Sequence, residues 1–455
     1  MRTEWTSSPQ NEAPSQPHIM TISTYKFSDI GITIECSTFK ASSGVNEHHL
    51  MLHVSANDEL FTGQYRRLCE GEARLLALPE FKESSAIMRR YFLSDATNQV
   101  GLMKEVDEQC AYSYIQQPPL DSSKIALWLY LIDGVDVASE EGTTVVRHND
   151  YTHLWRMGMH VSEGSSAVQT TRLLEQYESD LARHGATLAD HCVRTWFFVR
   201  DVDTQYMGMV KARKENFTAQ GLTEQTHYIS STGIQGLPAD PHAIIQLGAY
   251  ALTGFEKAQM RFLYAPTHLN PTYEYGVTFE RGTVVEFGDR AHAYISGTAS
   301  INNKGEIVHP GDIVKQTERM WENVEKLLRA VMWAGYIVAI YAILFYGFDT
   351  IMLATEGAQV GNEFSNINTI GMTVAVACVI QVHEWLYKNS RKSVIFMVPC
   401  ILVIAATQSR KSLVLLGLGI FLVSFLKYRE SKDLMSKLGK LLLLSAAAVG
   451  VMAAL

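Results

Sequence analysis

The chain has 455 residues, of which 47% are apolar and 19% charged, and its formal net charge is -8. This composition excludes a disordered or collagen-like chain, and the excess of acids before residue 330 argues against a nucleic-acid partner. The six cysteines are widely spaced and form no CxxC pair, so we expect neither a metal site nor a disulfide framework.

The N-terminal end is polar and rich in Pro and Ser. Residues 1–20 lack an apolar h-region, so we predict a disordered tail and not a signal peptide. Residues 21–144 show no strong pattern, and we interpret them as a degenerate N-terminal portion of the structured region.

Two later stretches are similar to each other. Residues 153–162 read HLWRMGMHVS and residues 292–301 read HAYISGTASI. Each is followed by a helix-like segment with apolar residues at i, i+3 and i+4. This pattern predicts an α+β unit with helices on one face of a sheet. We therefore predict a first repeat at 145–255 and a partial second repeat at 256–330.

The two repeats carry residues that are typical of a known family. These residues are Ser296 to Ile301 (SGTASI), His309 to Asp312 (HPGD), Gln316, Ser231 to Ile234 (STGI), Tyr275, Gly276, Phe279 and Arg281. With them, residues 120–330 resemble the Rid (YjgF-type) superfamily, in particular its two-repeat branch that contains the chorismatases. The resemblance implies tandem Rid-like repeats of the chorismate-mutase-like fold, the second one truncated, and homo-oligomers formed through them.

A chorismatase-like site must hold a dicarboxylate, which requires fixed cations and hydroxyl donors. The candidate substrate-binding residues are Tyr264, Tyr275, Arg281, Ser296, Thr298 and Ser300. The last three alternate along one strand and therefore share a face. An exposed polar strand face with aromatic packing behind it is an alternative interpretation, and a small carboxylate metabolite is the partner that the resemblance implies.

The acids that this family uses are missing here. The simplest Rid deaminases activate a water with an Arg and a late Glu, but Gln246 and Gly248 stand where the family carries acids. The second repeat ends before its final strand. The expected terminal acid is therefore absent, the catalytic residues are unknown, and we expect no cofactor.

The last quarter of the chain contains five apolar runs without charge. They are residues 331–348, 364–382, 393–409, 412–426 and 441–455. A membrane span needs about 17–25 apolar residues, so we predict a membrane domain at 331–455 with five transmembrane helices. The basic loops between the runs place residues 1–330 in the cytoplasm by the positive-inside rule. The expected location is the bacterial inner membrane.

A basic pair lies in the turn between the third and fourth runs. Arg410 and Lys411 are either interfacial residues whose side chains snorkel or a site for a lipid-linked diphosphate donor. With residues 366–371 and 407–411, this segment resembles the O-antigen polymerase and ligase family, of which it represents at most half.

The combined expectation is a membrane-tethered Rid/chorismatase-like protein that hydrolyses chorismate or a related small metabolite. The alternative is a partial O-antigen polymerase- or ligase-like protein with a lipid-linked glycan as partner and a non-catalytic cytoplasmic domain. The two incomplete segments meet near Ala330 without a linker, whereas natural domains are usually joined through flexible linkers. A chimeric reading frame is therefore a further interpretation.

Overall fold

The computed structural model describes residues 19–41, 45–56, 59–103, 109–148, 150–286 and 290–341, and short helical pieces between residues 374 and 420. The chain divides into two compact units, Met1–Val324 and Glu325–Leu455. In its described residues the first unit is a mixed α/β structure with three sheets.

The first sheet has six strands, which run between residues 19 and 133. The strands are β1 (Ile19–Phe27), β2 (Ile32–Lys40), β3 (Glu47–Val54), β4 (Ser84–Leu93), β5 (Ala111–Gln116) and β6 (Ile125–Asp133). Their order is β1-β2-β3-β6-β4-β5. Helix α1 (Phe61–Leu76) follows β3, and the short helix α2 (Ala96–Gln99) follows β4. The alternate buried residues of β2 pack with Leu68 and Leu75 of α1, because successive strand residues face opposite sides.

The second sheet repeats this arrangement. Its strands are β7 (Asp136–Glu140), β8 (Thr143–His148), β9 (Tyr151–His160), β10 (Cys192–Val199), β11 (Ser230–Gln235) and β12 (Ile245–Thr253). The order β7-β8-β9-β12-β10-β11 is that of the first sheet. Helix α3 (Ser166–Arg183) follows β9, the short helix α4 (Leu188–His191) precedes β10, and α5 (Val202–Ala219) follows β10.

Helix α3 shows how the sequence defines one of these elements. The Ser165 hydroxyl accepts a hydrogen bond from the Val168 backbone N–H, so it caps the first turn. Leu173, Leu174 and Leu181 recur at helical spacing and are buried against the sheet. Gly185, at a positive φ of 68°, lies just beyond the last turn, where glycine is the favoured residue.

The third sheet has three strands in sequential order, as do the first three strands of each of the other two sheets. It consists of β13 (Met260–Phe262), β14 (Gly282–Glu286) and β15 (Ala291–Ile295), and helix α6 (Ile313–Tyr341) follows it. His292 pairs with Val285 across β14 and β15 as His153 pairs with Val146 across β8 and β9. The two similar sequence stretches therefore occupy equivalent places. The boundaries predicted at residues 144, 255 and 330 stay predictions.

The predicted fold class with five transmembrane helices is wrong. In the part of the chain that the structure describes, no helix is both long and apolar enough to cross a membrane. The run at 331–348 does not begin a helix of its own, because α6 already begins at Ile313 and carries charged residues such as Lys315, Glu318 and Arg319 in its first turns.

The other predicted spans are described only in part or not at all. The described pieces of 364–382, 393–409 and 412–426 include Cys378, Cys400 and Leu416, which belong to one buried apolar cluster. Residues 441–455 lie outside the described residues. Arg410 and Lys411, in the turn between the third and fourth runs, lie outside them as well.

Candidate functional site

The sheets of the first unit meet at two equivalent junctions. At the first junction β5 contacts β9, and a cleft of about 760 Å³ opens there, lined by Ser113, Gly158 and His160 among others. At the second junction β11 contacts β15. The predicted substrate-binding residues lie at and after this second junction.

Ser296 and Gly297 connect the two strands of the second junction. The backbone N–H of Ser231 donates to the Ser296 hydroxyl at 2.9 Å, and the N–H of Gly297 donates to the Ser231 carbonyl at 3.2 Å. A Cβ on Gly297 would lie 3.1 Å from the Thr232 methyl carbon. A residue without a side chain therefore lets the two backbones approach closely.

Arg281 is buried at this junction. Its Nε and Nη2 donate to the Asn270 carbonyl at 3.2 and 2.8 Å. Its guanidinium lies 5.5 Å from the ring centres of both Tyr275 and Phe279. Burial lowers the pKa of Arg281, an effect that the Tyr275 hydroxyl opposes. The side chain is thus held in place by a carbonyl and two rings and not by a carboxylate.

A second arginine reaches the same place from helix α5. The side chain of Arg213 is 1% exposed, and its Nε and Nη1 donate to the hydroxyls of Thr278 and Ser231, each at 3.3 Å. Its Nη2 is buried without a hydrogen-bond partner, and its guanidinium lies 5.9 Å from the Phe279 ring. Burial lowers the pKa of Arg213 to about 10.

Arg213 and Arg281 therefore flank one ring, Phe279, as two buried cations. None of the ion pairs in the described ranges involves either of them. A buried charge without a counter-charge is costly, and an anion that enters such a site relieves that cost. The arrangement is suited to hold a small carboxylate.

The structure brings together only some of the residues that the sequence predicted. Tyr275, Arg281 and Ser296 surround Arg213 and its partners. Tyr264 is 54% exposed. Ser300 donates to the Val308 carbonyl at 2.8 Å, which closes the hairpin before α6. The roles of these residues in binding stay predictions.

The hydroxyl of Thr298, another predicted binding residue, is buried without a hydrogen-bond partner. A buried hydroxyl without a partner is unfavourable. The Thr298 hydroxyl could therefore form a hydrogen bond with a ligand without breaking one within the protein.

Sequence reasoning missed Arg213, and it also missed the buried acid Glu280, which precedes Arg281 in the chain. Arg213 lies in a charged segment of α5 and looks like a surface residue, but it falls on the same side as the buried Met209 and Phe217. That spacing was the available signal. Glu280 is 8% exposed, and its carboxylate accepts the Tyr228 N–H at 2.9 Å. Burial raises the pKa of Glu280 even so.

The positions predicted to have lost their acids lie on β12. Gln246 is buried. Gly248 is closely covered, because a Cβ there would lie 2.7 Å from the Met157 sulfur and 3.5 Å from the Arg90 Nη2. An acid at Gly248 would require the Met157 side chain to move.

The chain is similar to known proteins in structure. No protein-family model matches it, and neither does a curated protein. A chorismatase crystal structure is 18% identical over 53% of this chain and 72% of its own, with a TM-score of 0.41. A member of the YjgF family from Neisseria meningitidis is 20% identical over 26% of this chain and 93% of its own, with a TM-score of 0.21.

A third match is a putative translation initiation inhibitor from Salmonella typhimurium, 16% identical over 26% of this chain and 96% of its own, with a TM-score of 0.21. The chain is thus similar to solved structures of a chorismatase and of YjgF-type proteins, and this similarity carries no assignment of ligand or activity. The resemblance of residues 331–455 to O-antigen polymerases and ligases has no support.

Proposed function

We propose that the unit Met1–Val324 binds a small carboxylate metabolite at the second junction, between β11 and β15. The observation that carries the proposal is the pair Arg213 and Arg281, two buried guanidiniums beside Phe279 without an acidic partner. Guanidinium groups match the planar geometry of carboxylates and form strong charge-assisted hydrogen bonds with them.

Two cations in one site favour a ligand with two carboxylates over a ligand with one. The hydroxyls of Thr278, Ser231 and Thr298 add neutral hydrogen-bonding groups nearby. Chorismate is such a dicarboxylate, and the sequence resemblance to the chorismatases makes it the first ligand to test. We propose binding without efficient hydrolysis, because β12 carries no acid at Gln246 or Gly248.

Binding is tested by calorimetric titration of the purified full-length chain with chorismate. We expect Arg213→Met and Arg281→Met each to weaken binding by about 10- to 100-fold, the usual effect of losing a hydrogen bond to a charged group. Arg66→Met is the matched control, because the Arg66 side chain is 78% exposed. Equal affinity of all four proteins would contradict the proposal.

Hydrolysis is tested separately by the release of pyruvate from chorismate. We expect turnover below detection, because losing a general acid or base removes about 10²- to 10⁴-fold in rate. Pyruvate release that Arg281→Ala abolishes would show that a complete catalytic site exists, with Glu280 as the first acid to substitute.

The predicted membrane tethering and the lipid-linked glycan partner rest on residues 331–455, which the structure describes only in part. Both stay predictions. Fractionation of cells that express the full chain tests the localisation: a single band near 51 kDa in the membrane fraction supports it, and a band confined to the soluble fraction contradicts it.

A further inference from the structure

A second cavity lies inside the unit Met1–Val324, where its three sheets face one another. Its volume is about 330 Å³, within the range of about 300–1,000 Å³ that is typical of small-molecule sites. The aromatic residues that line it are Phe39, Trp128, Tyr130, Trp155, Trp196 and Tyr294. Trp128, Trp196 and Tyr294 are partly exposed, so the cavity is open to solvent.

Two buried arginines lie beside the tryptophan rings that line this cavity, although neither arginine is itself a lining residue. The guanidinium of Arg90 is 5.1 Å from the Trp196 ring and 5.4 Å from the Trp128 ring, and that of Arg194 is 5.0 Å from the Trp196 ring. Arg90 is 3% exposed and Arg194 is 5% exposed. Trp196 is thus contacted by two cations.

Neither arginine has an acidic partner among the described residues. Arg90 donates to the Ser113 hydroxyl at 3.3 Å, and Arg194 donates to the Thr232 hydroxyl. The Nη1 of Arg194 is buried without a hydrogen-bond partner. Burial, together with the neighbouring charge of Arg90, lowers the pKa of Arg194 to about 9. Both guanidiniums are therefore short of negative charge.

The carboxylate that lines the cavity cannot supply that charge. Glu47 accepts hydrogen bonds from His292 at 2.9 Å, from the Tyr130 hydroxyl at 2.8 Å and from Arg290. Burial would raise the pKa of Glu47, but His292 and Arg290 hold it well below its ordinary value. The negative charge of Glu47 is thus compensated within the protein, and Arg90 and Arg194 remain without a counter-charge.

We propose that this cavity binds a small aromatic carboxylate. The tryptophan and tyrosine rings contact the aromatic part of the ligand, and the positive charges of Arg90 and Arg194 beside those rings attract its carboxylate. An aromatic cation is disfavoured, because the same two buried positive charges would repel it. This cavity is separate from the site of Arg213 and Arg281, and the proposal does not depend on the function proposed for that site.

The test is a titration of the purified full-length chain with 2-naphthoate, followed by tryptophan fluorescence and by calorimetry. We expect saturable quenching, because three tryptophans line the cavity. The neutral analogue 2-naphthalenemethanol has the same ring without the charge and should bind at least about tenfold more weakly. Equal binding of the two compounds would overturn the proposal and indicate a merely apolar cavity.

Two variants locate the binding. Arg194→Met should weaken naphthoate binding by about 10- to 100-fold, whereas Arg66→Met, whose side chain is 78% exposed, should leave it unchanged. Equal naphthoate affinity of Arg194→Met and Arg66→Met would overturn the proposal. Circular dichroism of each variant shows whether it is folded, and Trp196→Leu removes the shared ring without altering charge if Arg194→Met fails to fold. Wild-type affinity of Trp196→Leu would likewise contradict the proposal.

Discussion

Two neighbouring arginines on β4 lie on opposite faces of the first sheet and differ in whether they have a carboxylate partner. Arg89 faces helix α1 and donates to the Glu72 carboxylate at 2.8 Å, and the two side chains are largely buried, at 13% and 12% exposed. Arg90 faces the inner side, where its neighbours are Ser113, Met157 and aromatic rings. The Glu72 carboxylate outweighs burial and holds the pKa of Arg89 above its ordinary value, whereas burial lowers the pKa of Arg90 to about 10.

The buried arginines of this protein are of two kinds, those paired with a carboxylate and those without one. The charge of a buried arginine that is paired with a carboxylate is compensated within the protein, and removing either partner leaves the other charge buried and unpaired. A buried arginine without a carboxylate gains from an external anion. Arg90, Arg194, Arg213 and Arg281 all belong to the second kind, and all four lie at the inner cavity or the second junction.

The largest effect is expected on the helix-covered face. Arg89→Met leaves the Glu72 carboxylate buried without its cation, which typically costs about 3–5 kcal/mol. Urea denaturation followed by circular dichroism measures the loss. The double variant Arg89→Met with Glu72→Leu removes both charges and should recover most of the stability. A double variant as unstable as the single one would show that packing, and not charge, explains the loss.

A smaller effect is expected one residue further along the strand. Arg90→Met removes a buried charge that has no acidic partner, so the free energy of unfolding should fall by less than about 1 kcal/mol, or rise. The same denaturation experiment gives the value, and the matched Arg89→Met variant is its comparison. A loss as large as that of Arg89→Met would mean that Arg90 has a structural role and would remove the distinction drawn here.

The smallest effect is expected for Glu280, a buried acid that accepts a hydrogen bond from the Tyr228 N–H. Its pKa is raised by burial, so the folded protein disfavours the charged form. The contribution of Glu280 to the free energy of unfolding is therefore most favourable below the pKa of the unfolded chain, about 4.5. This contribution is lost as the pH rises through the folded-state pKa. Glu280→Gln should therefore raise the urea midpoint at pH 7 and leave it nearly unchanged at pH 4. Equal effects at both pH values would contradict the assignment.

Much of the organisation of the first unit was accessible from the sequence. The similar stretches at 153–162 and 292–301 begin on β9 and β15, and the helices after them are α3 and α6. These features are local, because strand and helix periodicity depends on residues a few positions apart. The prediction that Ser296, Thr298 and Ser300 alternate along one strand is wrong, because β15 ends at Ile295. The same local rule failed at 331–348, where an apolar run continues a helix that begins with charged residues.

The candidate site could be predicted only in part, because its contacts join distant segments. Arg281 was visible beside Tyr275, but Arg213 reaches Thr278 from 65 residues away and Arg290 reaches Glu47 from 243 residues away. Periodicity indicates that a residue is buried without indicating what it is buried against. Sequence patterns were therefore enough to find the similarity of the two later segments, but they did not reveal the first sheet, whose strands lie between residues 19 and 133. Which buried charges are paired depends on strands that are brought together across the sheets, so it could be learned only from the folded structure.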